Sequence, residues 1–141
     1  MSLQQALLLP LFLHVLMTMG LGVATAFVRR RAAYQGRVRL KEVALDSRAW
    51  PDDVRKLGNN FDNQFDMPMM WYALVGLVIA TARVDSVFVD LAWLFLIARV
   101  IHALIHTSSN KVPNRMYAYL SGFAALILMW VWFAFRIFVS A

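Results

Sequence analysis

The sequence predicts an all-α integral membrane protein folded as a four-helix bundle, and three observations carry that reading. The 141 residues are 61% hydrophobic and only 16% charged. A soluble domain of this size is roughly half apolar and a quarter charged. Four stretches, 3–28, 61–82, 87–105 and 116–139, are apolar over lengths near the ~20 residues that a membrane helix needs. A transmembrane β-barrel is excluded, since its strands are about half as long and alternate in polarity. The cations are also unevenly spread: nine of the fourteen Lys and Arg lie between Arg29 and Lys56. One domain, 1–141, accounts for the length.

The first helix carries Pro10, His14 and a row of small residues, Thr18, Gly22 and Ala26, at the spacing that lets helices approach closely in lipid. His14, one turn beyond Pro10, is expected to satisfy the backbone carbonyl that a proline frees. The first charge is Arg29, past the apolar run, which argues for a retained helix and against a cleaved signal peptide.

The second helix is expected to begin at Pro51, with Asp52 and Asp53 at the positive end of its dipole. Running to Ala82 it would span about 48 Å at 1.5 Å per residue, so its first turns stand outside the ~30 Å hydrocarbon layer. Gly58 weakens its continuity. Asn59, Asp62, Asn63 and Asp66 form a polar stripe, Phe61, Phe65 and Met69 are offset from it, and Pro68 is expected to kink the helix.

The third helix holds Arg99, His102 and His106 on one face and is expected to end near Thr107. An ionisable group in lipid costs several kcal/mol, so it faces a protein interior or aqueous cavity and commonly marks function. A short connection, 108–113, leads to the fourth helix with Pro113 as its first residue. Arg115 and Tyr119 share a face one turn apart. The two polar faces are expected to meet. A second small-residue row, Ala118, Gly122 and Ala125, follows, and Arg136 near the far end is expected to snorkel to the headgroups.

The basic first and third loops predict a cytoplasmic location for both, with the two termini outside. The same loop would contact anionic lipid; nucleic acid is not expected as a partner. With no cysteine in the chain, any thiol chemistry must use a thiol brought by the substrate.

Arg99-Val-Ile-His102-Ala-Leu-Ile-His106, followed by Arg115 and Tyr119, resembles the third and fourth helices of the MAPEG family, the membrane-associated proteins of eicosanoid and glutathione metabolism. The second-helix run from Asn59 to Pro68 resembles the family's Asn-x-x-Glu motif upstream of a proline. The similarity is greatest to the microsomal prostaglandin E synthase branch, in a bacterial-type member. It implies a homotrimeric four-helix fold in the bacterial inner membrane, with glutathione at the subunit interface near the cytoplasmic side. Arg115 matches the arginine that faces the thiol, which makes it the candidate catalytic residue. Tyr119, His102 and Arg99 match ligand contacts. An arginine of the Arg29–Arg31 cluster, Arg29 or Arg30 foremost, matches a first-helix contact. Asn59/Asp62 and Asn63/Asp66 both fit the second-helix spacing, with Asn60/Asn63 a third option lacking the acid. His106 stands where the branch has tyrosine, and Met116 where it has serine, which points away from prostaglandin isomerisation.

The chemistry fits independently of the family. Glutathione presents two carboxylates, an amine and a thiol, so its pocket needs cations, a few acids or amides, and one positive group beside sulfur. Thiolate is the nucleophile, and an adjacent arginine favours it by stabilising the charged form. The implied activity is a glutathione-dependent transferase or peroxidase acting on a small apolar co-substrate, an electrophile or lipid hydroperoxide. Three alternatives stay open from the residues alone: a non-enzymatic lipid-binding or scaffold protein of the same fold, a metal or haem site at His102 and His106, and a purely structural intramembrane network.

Overall fold

The computed structural model describes residues 1–139; the terminal Ser140 and Ala141 lie outside the described residues. Helix α1 (Leu3–Tyr34) opens with a reciprocal cap, in which the Ser2 hydroxyl accepts from the Gln5 amide and the Gln5 side chain accepts from the Ser2 amide. It runs six residues past the apolar stretch, so Arg29–Arg31 ride on its last turns. A short α2 (Leu40–Val43) and a 3-10 turn (Ser47–Ala49) lead to α3 (Asp52–Asp62), α4 (Met67–Ala80), α5 (Ser86–Thr107) and α6 (Val112–Phe138).

Among the described residues three helices, α1, α5 and α6, are long and apolar enough to cross a membrane, with mean hydropathies of 2.1, 2.0 and 1.8. The expected continuous helix from Pro51 to Ala82 is instead divided. Residues 63–66 separate α3 from α4, and the 14 residues of α4 span only about 21 Å at 1.5 Å per residue. The reason is Pro68 at the start of α4. Its ring collides with the carbonyl four residues back, that of Gln64, and it has no amide to offer. The chain therefore opens at Asp66 (φ −86°, ψ −104°) rather than bending through. The break frees the Asn63 carbonyl, which an unbroken helix would give to residue 67.

Helices α5 and α6 form an antiparallel pair joined by a tight turn. The row Ala118, Gly122 and Ala125 is buried against α5, and a Cβ on Gly122 would touch Ala98 Cβ at 3.4 Å. In α1 only Gly22 makes a comparably close approach, to Phe61; Ala26 is exposed. The apolar core gathers Leu7, Trp71, Leu74, Phe88, Phe95 and Leu126.

Arg136, expected to snorkel to the headgroups, has partners at this end of the bundle. It pairs with Asp85 and lies over the Trp132 ring, and Trp132 Nε1 donates to the same carboxylate at 3.0 Å. Asp85 also caps α5 by accepting from the Phe88 amide at 3.1 Å. One aspartate thus fixes the α4–α5 connection to the end of α6. Asp85→Ala is expected to lower the unfolding midpoint in detergent, because loss of the helix cap alone costs about 1 kcal/mol. Tryptophan fluorescence during thermal unfolding would measure it.

At the opposite end, Lys56 Nζ donates to the Ser108 carbonyl at 2.5 Å and joins α3 to the α5–α6 turn. Arg37 binds Asp53 through both carboxylate oxygens, at 3.0 and 2.7 Å. Arg37 thereby holds the Asp53 carboxyl below its ordinary value. A lowered carboxyl value means that this anchor is present at neutral pH and is lost as pH falls through it. Both groups are exposed, so its contribution is small and screened by salt.

Candidate functional site

Helix periodicity on α5 sets Arg99, His102 and His106 on the face that meets α3 and α6, and all three side chains are buried. Arg99 enters the gap left by the α3–α4 break. Its Nη2 donates to the Asn63 carbonyl at 2.8 Å and to Gln64 Oε1 at 3.1 Å, while Nε and Nη1 have no partner. Gln64 Nε2 in turn donates to the Asn60 carbonyl (2.8 Å) and to Asn60 Oδ1 (3.2 Å). Asn60 Nδ2 donates to the Ala103 carbonyl at 3.2 Å. Two amides and one guanidinium therefore bind α3 to α5 inside the bundle.

The α5–α6 turn positions Arg115. Asn110 adopts a left-handed conformation (φ 51°), which asparagine tolerates better than most residues, and its Oδ1 accepts from Arg115 Nη1 at 2.9 Å. His102 Nδ1 donates to the Arg115 carbonyl at 3.1 Å. Tyr119, one turn further along α6, packs its ring 6.0 Å from that of His102.

Two cavities meet at Arg115. One, of about 280 Å³, is lined by Asn63, His102, Val112, Arg115, Met116 and Tyr119. The other, of about 270 Å³, is lined by Asn59, Asp62, Asn63, Asp66, His106 and Arg115. Asn63 and Arg115 are common to both. To these two residues the first cavity adds an imidazole, a phenol and the aliphatic walls of Val112 and Met116, and the second adds two carboxylates, an amide and an imidazole.

Eight of the residues singled out from the sequence line these cavities: Asn59, Asp62, Asn63, Asp66, His102, His106, Arg115 and Tyr119. Both acid-bearing alternatives for the second-helix motif, Asn59/Asp62 and Asn63/Asp66, line the same cavity, while Asn60 of the third belongs to the interior network. The other three lie elsewhere. Arg99 lines neither cavity and braces the wall behind them. Arg29 lies against Gly58, where a Cβ would meet its Nη2 at 2.8 Å, with its guanidinium 5.6 Å from the Trp50 ring centroid. Arg30 stacks over Tyr34 on an exposed face. His14 also departs from expectation: its Nδ1 lies 2.6 Å from the Tyr72 hydroxyl, and it does not serve the carbonyl freed by Pro10.

Sequence reasoning missed Gln64, Asn110 and Lys56 as parts of this arrangement. Gln64 carried a signal, being four residues from Asn60 and so on the same helical face. Asn110 and Lys56 carried none, because their roles depend on where the α5–α6 turn lies relative to α3. Among the described residues no group of three His, Asp or Glu is placed to hold a metal ion.

Apolar helices around a cation-centred polar pocket define a class: helical membrane proteins with a polar site inside the bundle. The chain belongs to the MAPEG family, whose family model matches residues 7–135. No curated protein and no solved structure matches the chain. MAPEG members are generally glutathione-dependent membrane enzymes, and the family together with the apolar helices makes this an integral membrane protein.

Proposed function

We propose that the protein binds glutathione across the paired cavities and activates its thiol at Arg115 for attack on an apolar electrophile or lipid hydroperoxide. The observation that carries this reading is that Arg115 lines both an acid- and amide-lined cavity and a mixed one walled in part by Val112, Met116 and the Tyr119 ring. Asp62 and Asp66 suit the ligand's ammonium group, Asn59 and Asn63 suit its peptide groups, and the guanidinium suits sulfur. Arginine remains protonated in such a setting. Met116 beside it supports conjugation or peroxide reduction over prostaglandin isomerisation. Glutathione titrated into the detergent-solubilised protein should generate thiolate absorbance near the ultraviolet edge; binding without that absorbance would refute activation.

The assembly we propose is a homotrimer. Arg29 and Arg30, the first-helix cations matched to the ligand by the family pattern, do not line the cavities of their own subunit. In the trimer we propose, these cations face the cavity of a neighbouring subunit. Native mass spectrometry in detergent should show three copies, and a strictly monomeric species that binds glutathione would refute the interfacial site. The orientation we propose places the basic first and third loops in the cytoplasm and both termini outside. A cysteine introduced at Ser2 should be labelled by an impermeant reagent in intact cells and one at Gln35 should not; the opposite pattern would invert the protein.

A second reading, a non-enzymatic lipid-binding protein of the same fold, is favoured by one feature. An apolar groove of about 430 Å³ lies between α1 and the α3–α4 segment, lined by Val15, Met19, Val23, Phe61, Phe65 and Tyr72 among others. Retained fatty acid in the purified protein, with no thiolate signal from glutathione, would select it.

A further inference from the structure

Nothing in α3 itself asks for glycine at position 58. The residue lies inside Asp52–Asp62 with no positive φ, a setting in which glycine is less favourable than alanine. The reason lies across the helix pair. Thr25 and Ala32 of α1 are buried where that helix packs on α3, and so are Val54 and Gly58 of α3. Arg29 stands between Thr25 and Ala32, about one turn from each, and so shares their face. A Cβ at position 58 would stand 2.8 Å from Arg29 Nη2 and 3.6 Å from its Cζ. The Trp50 ring, just ahead of α3, has its centroid 5.6 Å from the same guanidinium, within cation–π range.

The guanidinium held in this way has no acceptor. Its Nε is buried without a partner, and among the described residues no oxygen accepts from it and no acid pairs with it. Arg37, Arg39 and Arg55, in the same part of the chain, each pair with an acid: Asp53, Glu42 and Asp52. Arginine stays charged and offers only donors, in a planar fork that matches a carboxylate. We infer that Gly58 and Trp50 are positioning residues that hold Arg29 as a preformed seat for a carboxylate of glutathione. The inference rests on the glutathione reading and the trimer proposed above, and adds what fixes this cation. A long side chain ordered only on binding would cost affinity, and holding it beforehand removes that cost. Alanine at position 58 would push the guanidinium aside without moving the helix, because the atoms it meets are the far end of a flexible side chain.

The test is a double-mutant cycle between positions 58 and 29, read as glutathione affinity of the solubilised full chain by calorimetry. Gly58→Ala is expected to unfold at no lower temperature than the wild type, since alanine is the better helix former. It should nevertheless bind glutathione about tenfold more weakly, as expected when a contact to a charged group is lost. Arg29→Ala should show a similar loss. The double variant should bind no worse than Arg29→Ala alone, because the glycine acts through the arginine. In turnover with a chlorodinitrobenzene, Gly58→Ala should raise the KM for glutathione more than it lowers kcat. Trp50→Phe should keep most of the affinity and Trp50→Leu should not, which keeps the inference testable if Gly58→Ala does not fold. Wild-type affinity in Gly58→Ala or Trp50→Leu, or losses that add in the double variant, would overturn the positioning role while leaving glutathione binding intact. No glutathione binding by the wild type would overturn the glutathione reading and this inference with it.

Discussion

Arg115→Ala is expected to cut turnover about 10²–10³-fold and to abolish the thiolate absorbance of bound glutathione. The guanidinium is half-buried between two cavities and oriented by Asn110. Removing one fixed donor aimed at developing charge typically costs about 2.7–4 kcal/mol in the barrier. The thiol should revert toward its ordinary pKa, since the positive group that favours its charged form is gone. Arg115→Lys should recover only part of the rate, because a flexible ammonium does not reproduce a planar donor array. Asp66→Ala, on the cavity wall, should instead weaken glutathione affinity more than turnover, as expected for a contact made equally before and during reaction. Wild-type turnover and an intact thiolate signal in Arg115→Ala would remove Arg115 as activator.

Gln64→Leu is expected to be the most destabilising of the polar substitutions in the bundle interior. Gln64 is fully buried, and its Oε1 accepts from Arg99 Nη2 at 3.1 Å while its Nε2 donates to Asn60. Leucine would take one acceptor from a buried guanidinium that already has two unpartnered nitrogens. Stranding a buried polar group costs about 1–3 kcal/mol, more when it is charged. The unfolding midpoint in detergent should fall accordingly. Gln64→Glu should retain more of the stability, because a carboxylate keeps an acceptor facing Arg99. A Gln64→Leu variant as stable as the wild type would show that Asn63 alone satisfies the arginine.

Most of the fold was legible in the chain, because the solvent it is built for selects long apolar helices. The runs 3–28, 87–105 and 116–139 became α1, α5 and α6, with α1 running on to Tyr34, α5 longer at both ends and α6 starting earlier, at Val112. The one large departure was the second helix. Pro68 was visible as an interruption, but its consequence depended on the partner waiting beside it: Arg99 takes the carbonyl of Asn63 that the break exposes. A proline signals a weakened ladder and does not by itself say whether the chain bends or opens.

The site divides in the same way. Spacing alone placed Arg99, His102 and His106 on one face, because residues three and four apart on a helix are neighbours. The same rule paired Arg115 with Tyr119. The balance of apolar to charged residues, and the loading of cations into one loop, were likewise properties of composition and order. What needed tertiary structure was which polar groups face a cavity and which brace a wall. His106 and Arg99 are both buried residues of α5, yet the first lines one of the two cavities at Arg115 and the second lines neither. Arg136 and Asp85 are 51 positions apart and meet only because α5 and α6 run antiparallel. A helical repeat fixes the neighbours of a residue along its own helix, while its neighbours across helices depend on how the helices pack.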